Sequence, residues 1–194
     1  MYRVNTSLSN SYEGTRLKEI ESYHYAAAGL ILIRFNKSKI QVEGLVGLEN
    51  RQRNGIGLGI IGGKREGTFG AWIENDPIVT ALREFQEETK NALSDGECKE
   101  IYHAYNEGKC RIFWERIGKF VGIVFLIPST WDWAKQATIP WIPTPTMMGF
   151  QWLVLPGVRT QMEIGTNLHP LLEQIIKSLE IFIDCLLFAW QERS

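Results

Sequence analysis

The sequence predicts an α/β fold, because runs of aliphatic residues typical of β-strands are interspersed with segments that have helical spacing. Tyr25–Phe35 and Ile56–Ile61 are apolar runs of strand length, and each ends near glycine or polar turn residues. Residues 80–92 and 168–190 instead space their charged and apolar residues as on the faces of a helix. With 194 residues and 44% hydrophobic content, the chain can bury a substantial core.

The remaining strands follow from the same pattern. Ile40–Leu48 is predicted to pair with the first strand across a turn at residues 36–38. Arg111–Ile127 predicts a strand or a hairpin with its turn at residues 118–119, and Phe150–Leu155 predicts a further strand.

The first 22 residues are polar and are interpreted as an N-terminal arm or a short added element, followed by one domain over residues 23–194. No signal-peptide layout is present at the start. The three cysteines lack zinc-site spacing, and their odd number favours reduced thiols; we therefore expect an intracellular, cytoplasmic protein. A net charge of −1 argues against a protein that coats nucleic acid.

The apolar segment 168–190 is long enough to raise the question of a membrane span. Four charged residues recur along it at helical intervals, namely Glu173, Lys177, Glu180 and Asp184. A spanning helix rarely carries such a stripe, so the segment predicts an amphipathic helix and no membrane partner. We expect it to pack on the sheet, with a homodimer interface as the alternative.

Three glutamates of the helix at 80–92 carry the strongest chemical signal. Glu84, Glu87 and Glu88 stand at i, i+3 and i+4, so they share one helix face. Like charges at these spacings destabilise an isolated helix by roughly 0.2–0.5 kcal/mol per pair. Such a cluster is either a solvated surface or the ligand set of a hard cation.

A glycine-rich loop, residues 62–67, lies between the apolar run and this helix. A carbonyl at the end of a strand can join carboxylates around a hard cation, and glycines let the backbone approach a phosphate closely. The order of strand, glycine-rich loop and acidic helix therefore favours the cation site over a merely solvated surface.

Residues 62–93 resemble the signature box of the Nudix hydrolases, GGx5Ex7REUxEExGU, in which U is a bulky apolar residue. Residues 83–88 match its REUxEE core without a substitution. The resemblance implies a Nudix-type α/β/α sandwich with a mixed central β-sheet, and an Mg²⁺- or Mn²⁺-dependent enzyme. It implies that Glu84, Glu87 and Glu88 bind the metal together with the Gly62 carbonyl, and that Arg83 pairs with and orients the carboxylates.

Two departures from the box concern its flanks. The loop after Gly63 is longer than in the family, so the upstream glutamate is assigned to Glu74, with Glu66 as second choice. Lys90 replaces the glycine that follows the glutamates, and Asn91 replaces an apolar residue. Asparagine is the likeliest non-glycine residue in a left-handed helix cap, so this departure concerns the end of the helix and not the metal ligands.

The family resemblance implies a pyrophosphohydrolase, since Mg²⁺ neutralises phosphoryl oxygens and activates water. The broadest substrate class is a nucleoside diphosphate linked to another group; capped RNA ends, dinucleoside polyphosphates and diphosphoinositol phosphates stay open. Lys64 and Arg65 are candidate phosphate contacts, or simple solubility residues. The alternative functions are a noncatalytic Nudix-fold module that binds nucleotide or protein, and a scaffold that dimerises through the C-terminal helix.

Two sets of residues outside the box are further candidates. A downstream acid that serves as general base or extra ligand is not ranked among Glu115, Asp132 and Glu163. A nucleobase could stack on tryptophans of the loop after the long strand, although such residues more often anchor a core; these are Trp131, Trp133 and Trp141.

Overall fold

The computed structural model describes residues 25–36, 41–51, 55–68, 72–115, 119–131, 147–155, 167–177, 179 and 183. The strands in this part of the chain are β1 (Ala27–Asn36), β2 (Gln41–Arg51), β3 (Gly55–Gly59), β4 (Ile61–Lys64), β5 (Gly67–Thr68), β6 (Trp72–Ile73), β7 (Arg111–Glu115), β8 (Phe120–Leu126), β9 (Met147–Leu155) and β10 (Asn167–Leu168). The helices are α1 (Pro77–Thr89), α2 (Asp95–Asn106) and α3, which is described over residues 170–177.

Internal contacts divide the chain into two compact units. The first unit comprises Met1–Ile31 and Ile61–Phe125, and the second comprises Leu32–Ile60 and Leu126–Ser194. Helix α1, which contains the glutamates predicted to bind a metal, and the glycine-rich loop at residues 62–67 both belong to the first unit.

In the first unit, the start of β1 pairs antiparallel with β4, from Ala27 opposite Lys64 to Leu30 opposite Ile61. On its other side β1 neighbours β8, which forms an antiparallel hairpin with β7. Helix α1 packs against β4. Its buried residues Ile78, Ala81 and Phe85 recur at intervals of three and four, so one apolar face enters the core while the glutamates stay on another.

In the second unit, β2 pairs antiparallel with β9 along one edge, and with the end of β1 and then β3 along the other. Strand β10 joins β3 in parallel, so the sheet is mixed. The core of this unit contains large aliphatic side chains from several strands and from α3, including Leu45, Leu58, Leu153, Leu172 and Ile175. The predicted α/β fold with a mixed sheet is therefore confirmed.

The predicted single strand Ile56–Ile61 is wrong in one respect, because the run is split at Ile60 into β3 and β4. The two halves hydrogen-bond to different partners, β3 to β2 and β4 to β1. Strands β7 and β8 pair antiparallel, as in the predicted hairpin, and Lys119 immediately before β8 has a positive φ of 51°.

Helix α1 begins three residues before the predicted start at residue 80. Asp76 caps it, since its Oδ1 accepts a hydrogen bond from the Ile78 amide at 3.3 Å, and Pro77 occupies the first turn. The helix ends at Thr89, and Lys90 adopts the left-handed conformation with φ 56° and ψ 51°. Asn91 also has a positive φ of 61°, so the helix ends three residues before the predicted end at residue 92, and Lys90 is its left-handed cap.

Helix α2 was not predicted. Ser94 and Glu97 form a reciprocal capping box at its start, and this S-x-x-E pattern is visible in the sequence. Only Ile101, Ala104 and Tyr105 of the helix are buried, which explains why its apolar periodicity is weak.

Several predictions fall outside the described residues: the arm at residues 1–22, most of residues 168–190, Trp133, Trp141, Asp132 and Glu163. In the described turns of α3, Leu172, Ile175 and Ile176 are buried, and Lys177 pairs with Glu173 at 2.5 Å on the more exposed side. This pattern is that of an amphipathic helix. Among the described residues, no helix combines the length and hydropathy that crossing a membrane requires.

Candidate active site

The two glycines of β4 leave room for different neighbours. A Cβ atom on Gly62 would lie 2.4 Å from the Gly29 Cα and 2.5 Å from the Ala28 carbonyl oxygen, both in the paired strand β1. A Cβ atom on Gly63 would lie 2.3 Å from Cδ of Glu84. The first glycine therefore permits close strand packing, and the second lets the Glu84 carboxylate rest against the backbone of β4.

Arg83 is the centre of the polar contacts on α1. Its guanidinium lies 2.9 Å from Glu74, 3.0 Å from Glu84, 3.0 Å from Glu87 and 3.6 Å from Glu66. It also donates a hydrogen bond to the Lys64 carbonyl at 2.7 Å. Four carboxylates thus share one guanidinium, which leaves this region with an excess of negative charge. Burial tends to lower the pKa of Arg83, but these carboxylates outweigh it and raise that pKa.

Glu74 is the buried partner of Arg83. It follows the short β5–β6 hairpin, which accommodates the added length of the loop, and only 3% of it is exposed. Its carboxylate accepts hydrogen bonds from Arg83 Nε at 2.9 Å, from Thr80 Oγ1 at 2.5 Å and from the Glu66 amide at 3.1 Å. Burial alone would raise the pKa of Glu74, but the donors lower it overall.

Glu66, the second choice for the upstream glutamate, has an exposed side chain at the longer distance from Arg83. Glu66 contacts Glu74 through its backbone, since the Glu74 amide donates a hydrogen bond to the Glu66 carbonyl at 3.0 Å. The geometry therefore favours Glu74 for the upstream position.

The basic pair of the loop has two different environments. Arg65 donates to the carbonyls of Glu74 and Tyr25 and to the Asn75 side chain, and its guanidinium lies 4.7 Å from the centre of the Tyr25 ring. These contacts give Arg65 a role in fixing the loop, beside the predicted one as a phosphate contact. Lys64 has an exposed side chain.

The donor set of α1 fits a hard divalent cation by its chemistry. Glu84, Glu87 and Glu88 offer carboxylate oxygens from one helix, and Mg²⁺ and Mn²⁺ prefer such ligands. Burial and the neighbouring carboxylates of Glu87 and Glu66 raise the pKa of Glu84 despite Arg83, so additional positive charge would favour its ionised form.

The carboxylates do not yet converge on one point. Among the residues that the structure describes, no three acidic, histidine or cysteine side chains form a cluster that could hold a metal ion. Glu84 and Glu87 each contact Arg83 at 3.0 Å, and the Glu88 side chain is half-buried. The predicted metal ligands, including the Gly62 carbonyl, therefore stay a prediction.

The site residues predicted outside the signature box are the downstream acids and the tryptophans, and few of them lie in the described part of the chain. Glu115 is the last residue of β7 and is buried, whereas the other two downstream acids lie outside the described residues. Trp131 is 8% exposed, as expected for a core anchor, the alternative to base stacking.

Thr80 and Tyr25 touch the site but were not singled out from the sequence. Both are buried, and the Tyr25 hydroxyl lies 2.8 Å from Thr80 Oγ1. The sequence did contain one indication that Thr80 lies near the site: it stands three residues before Arg83 and so shares the same face of the helix.

No protein-family model matches the sequence, and comparison with curated proteins gave no match. Comparison of the fold with solved structures did find similar proteins. The C. elegans Ap4A hydrolase in a binary complex has a TM-score of 0.46 at 14% identity, over 81% of this chain and 96% of that chain. The M. smegmatis Nudix hydrolase RenU has a TM-score of 0.41 at 14% identity, over 75% and 77%. A MutT/nudix family protein from Enterococcus faecalis has a TM-score of 0.39 at 16% identity, over 76% and 57%.

Proposed function

We propose that this protein is a divalent-cation-dependent pyrophosphohydrolase of the Nudix type. The observation that carries the proposal is the arrangement around Arg83. Arg83 contacts Glu84 and Glu87 of the REUxEE sequence and two glutamates of the preceding segment, Glu66 and Glu74. Glu84 lies in the space that Gly63 leaves open. A helix surface with this much uncompensated negative charge suits a bound cation better than an ordinary solvated face.

In the proposed enzyme, Glu84, Glu87 and Glu88 would hold Mg²⁺ or Mn²⁺, with the Gly62 carbonyl as a further ligand. The bound cation would supply Lewis-acid stabilisation of the phosphoryl oxygens and would lower the pKa of a water molecule. Arg83 orients the carboxylates, because Glu74 and the Lys64 carbonyl anchor its guanidinium.

Side chains of the protein would carry out proton transfer and substrate binding. One glutamate of the α1 set accepts the proton of the attacking water as the anhydride bond breaks, which requires an ionised carboxylate within hydrogen-bond reach. Lys64, at the exposed end of β4, contacts a phosphate of the substrate. Arg65 keeps the loop in place through its contacts to Glu74, Asn75 and Tyr25.

The proposed substrate is a small molecule in which a nucleoside diphosphate is linked to another group. A formal net charge of −1 gives no strong positive field for the most highly charged candidates, such as diphosphoinositol phosphates. Capped RNA and dinucleoside polyphosphates contain the same type of bond. We propose an intracellular location, where such substrates occur.

The test is mass-spectrometric analysis of products from pooled NADH, ADP-ribose, nucleotide sugars, diadenosine polyphosphates, dNTPs and capped RNA, with Mg²⁺ or Mn²⁺. We expect cation-dependent cleavage of a phosphoanhydride. Glu87→Gln should lose more than the roughly 10–100-fold that is typical of a residue behind the metal ligands. Glu100→Gln, which changes an exposed glutamate of α2, is the matched control and should keep full activity.

Two results would contradict the proposal. Equal activity of Glu87→Gln and Glu100→Gln would show that hydrolysis does not depend on the α1 carboxylates. Cation binding without turnover of any pooled compound would favour the noncatalytic binding module.

A further inference from the structure

Glu74 reaches Arg83 from an unusual register. Ten residues, 64–73, separate it from Gly63, and eight, 75–82, separate it from Arg83. Both spacers exceed those of the GGx5Ex7R pattern, so the box spacing alone does not set the position of this carboxylate. Contacts from other residues must therefore hold Glu74 in place.

Thr80 provides such a contact inside the core. Its hydroxyl lies 2.5 Å from Glu74 Oε2, whereas Arg83 Nε donates to Oε1 at 2.9 Å. Thr80 and Arg83 are three residues apart on α1, so they approach the carboxylate from the same helix face. The carboxylate is thus held at both oxygens by one helix.

Counting protons determines the direction of these hydrogen bonds. The Glu74 carboxylate is ionised beside Arg83 and can only accept, so the single proton of the Thr80 hydroxyl points to Glu74. The single proton of the Tyr25 hydroxyl is then shared between two acceptors, Thr80 Oγ1 at 2.8 Å and the Glu74 carbonyl at 3.0 Å. Burial raises the pKa of Tyr25, which keeps this donor protonated.

We propose that Thr80 is a positioning residue of the active site: its hydroxyl fixes the Glu74 carboxylate, and Glu74 in turn fixes Arg83 against Glu84 and Glu87. The inference rests on the proposed function insofar as it gives these contacts a catalytic purpose. Thr80 itself touches neither substrate nor cation in this scheme. The effect of Thr80 on the site passes through the hydrogen-bonded side chains of Glu74 and Arg83. These residues all lie in the first compact unit.

Three substitutions separate the hydroxyl from the volume of the side chain. Thr80→Val keeps the branched shape and removes the hydroxyl, and Thr80→Ser keeps the hydroxyl and removes a methyl group. Thr89→Val is the matched control, because Thr89 is also buried on α1, but its hydroxyl donates to the Phe85 carbonyl at 2.6 Å. Each valine variant loses two hydrogen bonds of the hydroxyl, and only Thr80→Val loses one to Glu74.

The first measurement is the ¹H–¹⁵N spectrum of the arginine Nε–H groups, with the Arg83 signal assigned by its absence from Arg83→Lys. We expect the Arg83 signal to shift towards the position of solvent-exposed arginines in Thr80→Val, and to stay in place in Thr80→Ser and Thr89→Val. An unchanged Arg83 signal in folded Thr80→Val would overturn the proposal.

The second measurement is the steady-state kinetics of the same variants. In Thr80→Val we expect a fall in kcat of about 10–100-fold with little change in KM, since orientation of the ligands is lost rather than substrate contacts. Thr80→Ser should remain within a few-fold of the parent, and Thr89→Val should lose stability alone. Equal kcat losses in the two valine variants would overturn the proposal.

The two measurements also separate this inference from the proposed function. A protein that hydrolyses nothing in the presence of a divalent cation would refute the proposed function, yet the Arg83 signal would still decide whether Thr80 positions the arginine. An altered signal supports the positioning role in either case.

Discussion

At the scale of single residues, the neighbouring glycines of β4 have separable roles. The space beside Gly62 is bounded by backbone atoms of β1, which cannot move without disturbing the sheet. The space beside Gly63 contains the end of the flexible Glu84 side chain. Gly62 is therefore required for the packing of the sheet, and Gly63 is required for the placement of Glu84 in the site.

We predict that Gly62→Ala destabilises the protein and that Gly63→Ala inactivates it. Gly62→Ala should lower the free energy of unfolding by roughly 1–3 kcal/mol or more, as expected when a methyl group is forced into packed backbone. Gly63→Ala should cost less stability, because the Glu84 carboxylate can move aside, but it should abolish cation-dependent hydrolysis. Urea denaturation and activity assays of both variants test this.

Gly96→Ala is the control, since the nearest atom to its Cβ would be 3.9 Å away and the residue lies in helix α2. This variant should be active and at least as stable as the parent. Full activity in Gly63→Ala would contradict the placement of Glu84 against β4.

Glu74 should make stability depend on pH in one direction. Its pKa in the folded protein is lowered below the ordinary value of 4.5. The unfolded state therefore binds its proton more tightly, so the stabilisation is complete above about pH 4.5 and is lost as the pH falls through the lower folded pKa. The difference in unfolding free energy between the parent and Glu74→Gln should accordingly be large at neutral pH and shrink in acid. A difference that is independent of pH would show that Glu74 is not an ionised partner of Arg83.

The sequence predicted that residues 83–88 lie in a helix, because the geometry of such a segment is set within the helix itself. Spacings of three and four residues bring side chains together in any α-helix, whatever the rest of the fold. The contact of Glu74 with Thr80 depends on how the β5–β6 hairpin returns to the helix, and the contact of Arg65 with Tyr25 depends on the pairing of β1 with β4. No local pattern contains that information.

At the scale of elements, the end of α1 has a conformational cost. Lys90 occupies the left-handed region, which disfavours a side chain by roughly 1–2 kcal/mol, whereas glycine adopts it freely. Asn91 is left-handed too, so two consecutive non-glycine residues carry the turn into α2.

We predict that Lys90→Gly stabilises the protein by about 0.5–1 kcal/mol, because relief of the left-handed strain exceeds the added entropy of the unfolded chain. Chemical denaturation measures the change. Lys90→Ala removes the same charge but keeps the strain, so it should give no such gain. A similar gain in both variants would assign the effect to charge and not to conformation.

The boundaries of elements were less predictable than their existence. Helix α1 starts early because Asp76 and Pro77 form an N-terminal cap outside the apolar pattern that identified the helix. Helix α2 was missed because few of its residues are buried, although Ser94 and Glu97 mark its start. The break between β3 and β4 coincides with a change of pairing partner, which periodicity within one run does not reveal.

At the scale of the whole molecule, the α/β class and the mixed sheet followed from the sequence, while the division into two compact units did not. The units interleave in sequence, since each contains part of β1 and segments far apart in the chain. Composition and periodicity describe neighbours along the chain, so they carry little information about such an arrangement.

The function of the whole molecule depends on one claim, that the carboxylates of α1 bind a divalent cation. Arg83 balances part of their charge, and a cation would balance the rest. Substrate choice, the general base and the catalytic purpose of the Thr80 contacts all presuppose this event.

The most direct measurement is therefore a calorimetric titration with Mn²⁺ of the parent protein and of Glu84→Gln, Glu87→Gln, Glu88→Gln and Glu100→Gln. We predict saturable binding that each of the three α1 substitutions weakens by about tenfold or more, and that Glu100→Gln leaves unchanged. No binding by the parent protein, or equal binding by all four variants, would contradict the proposed cation site and the enzyme built on it.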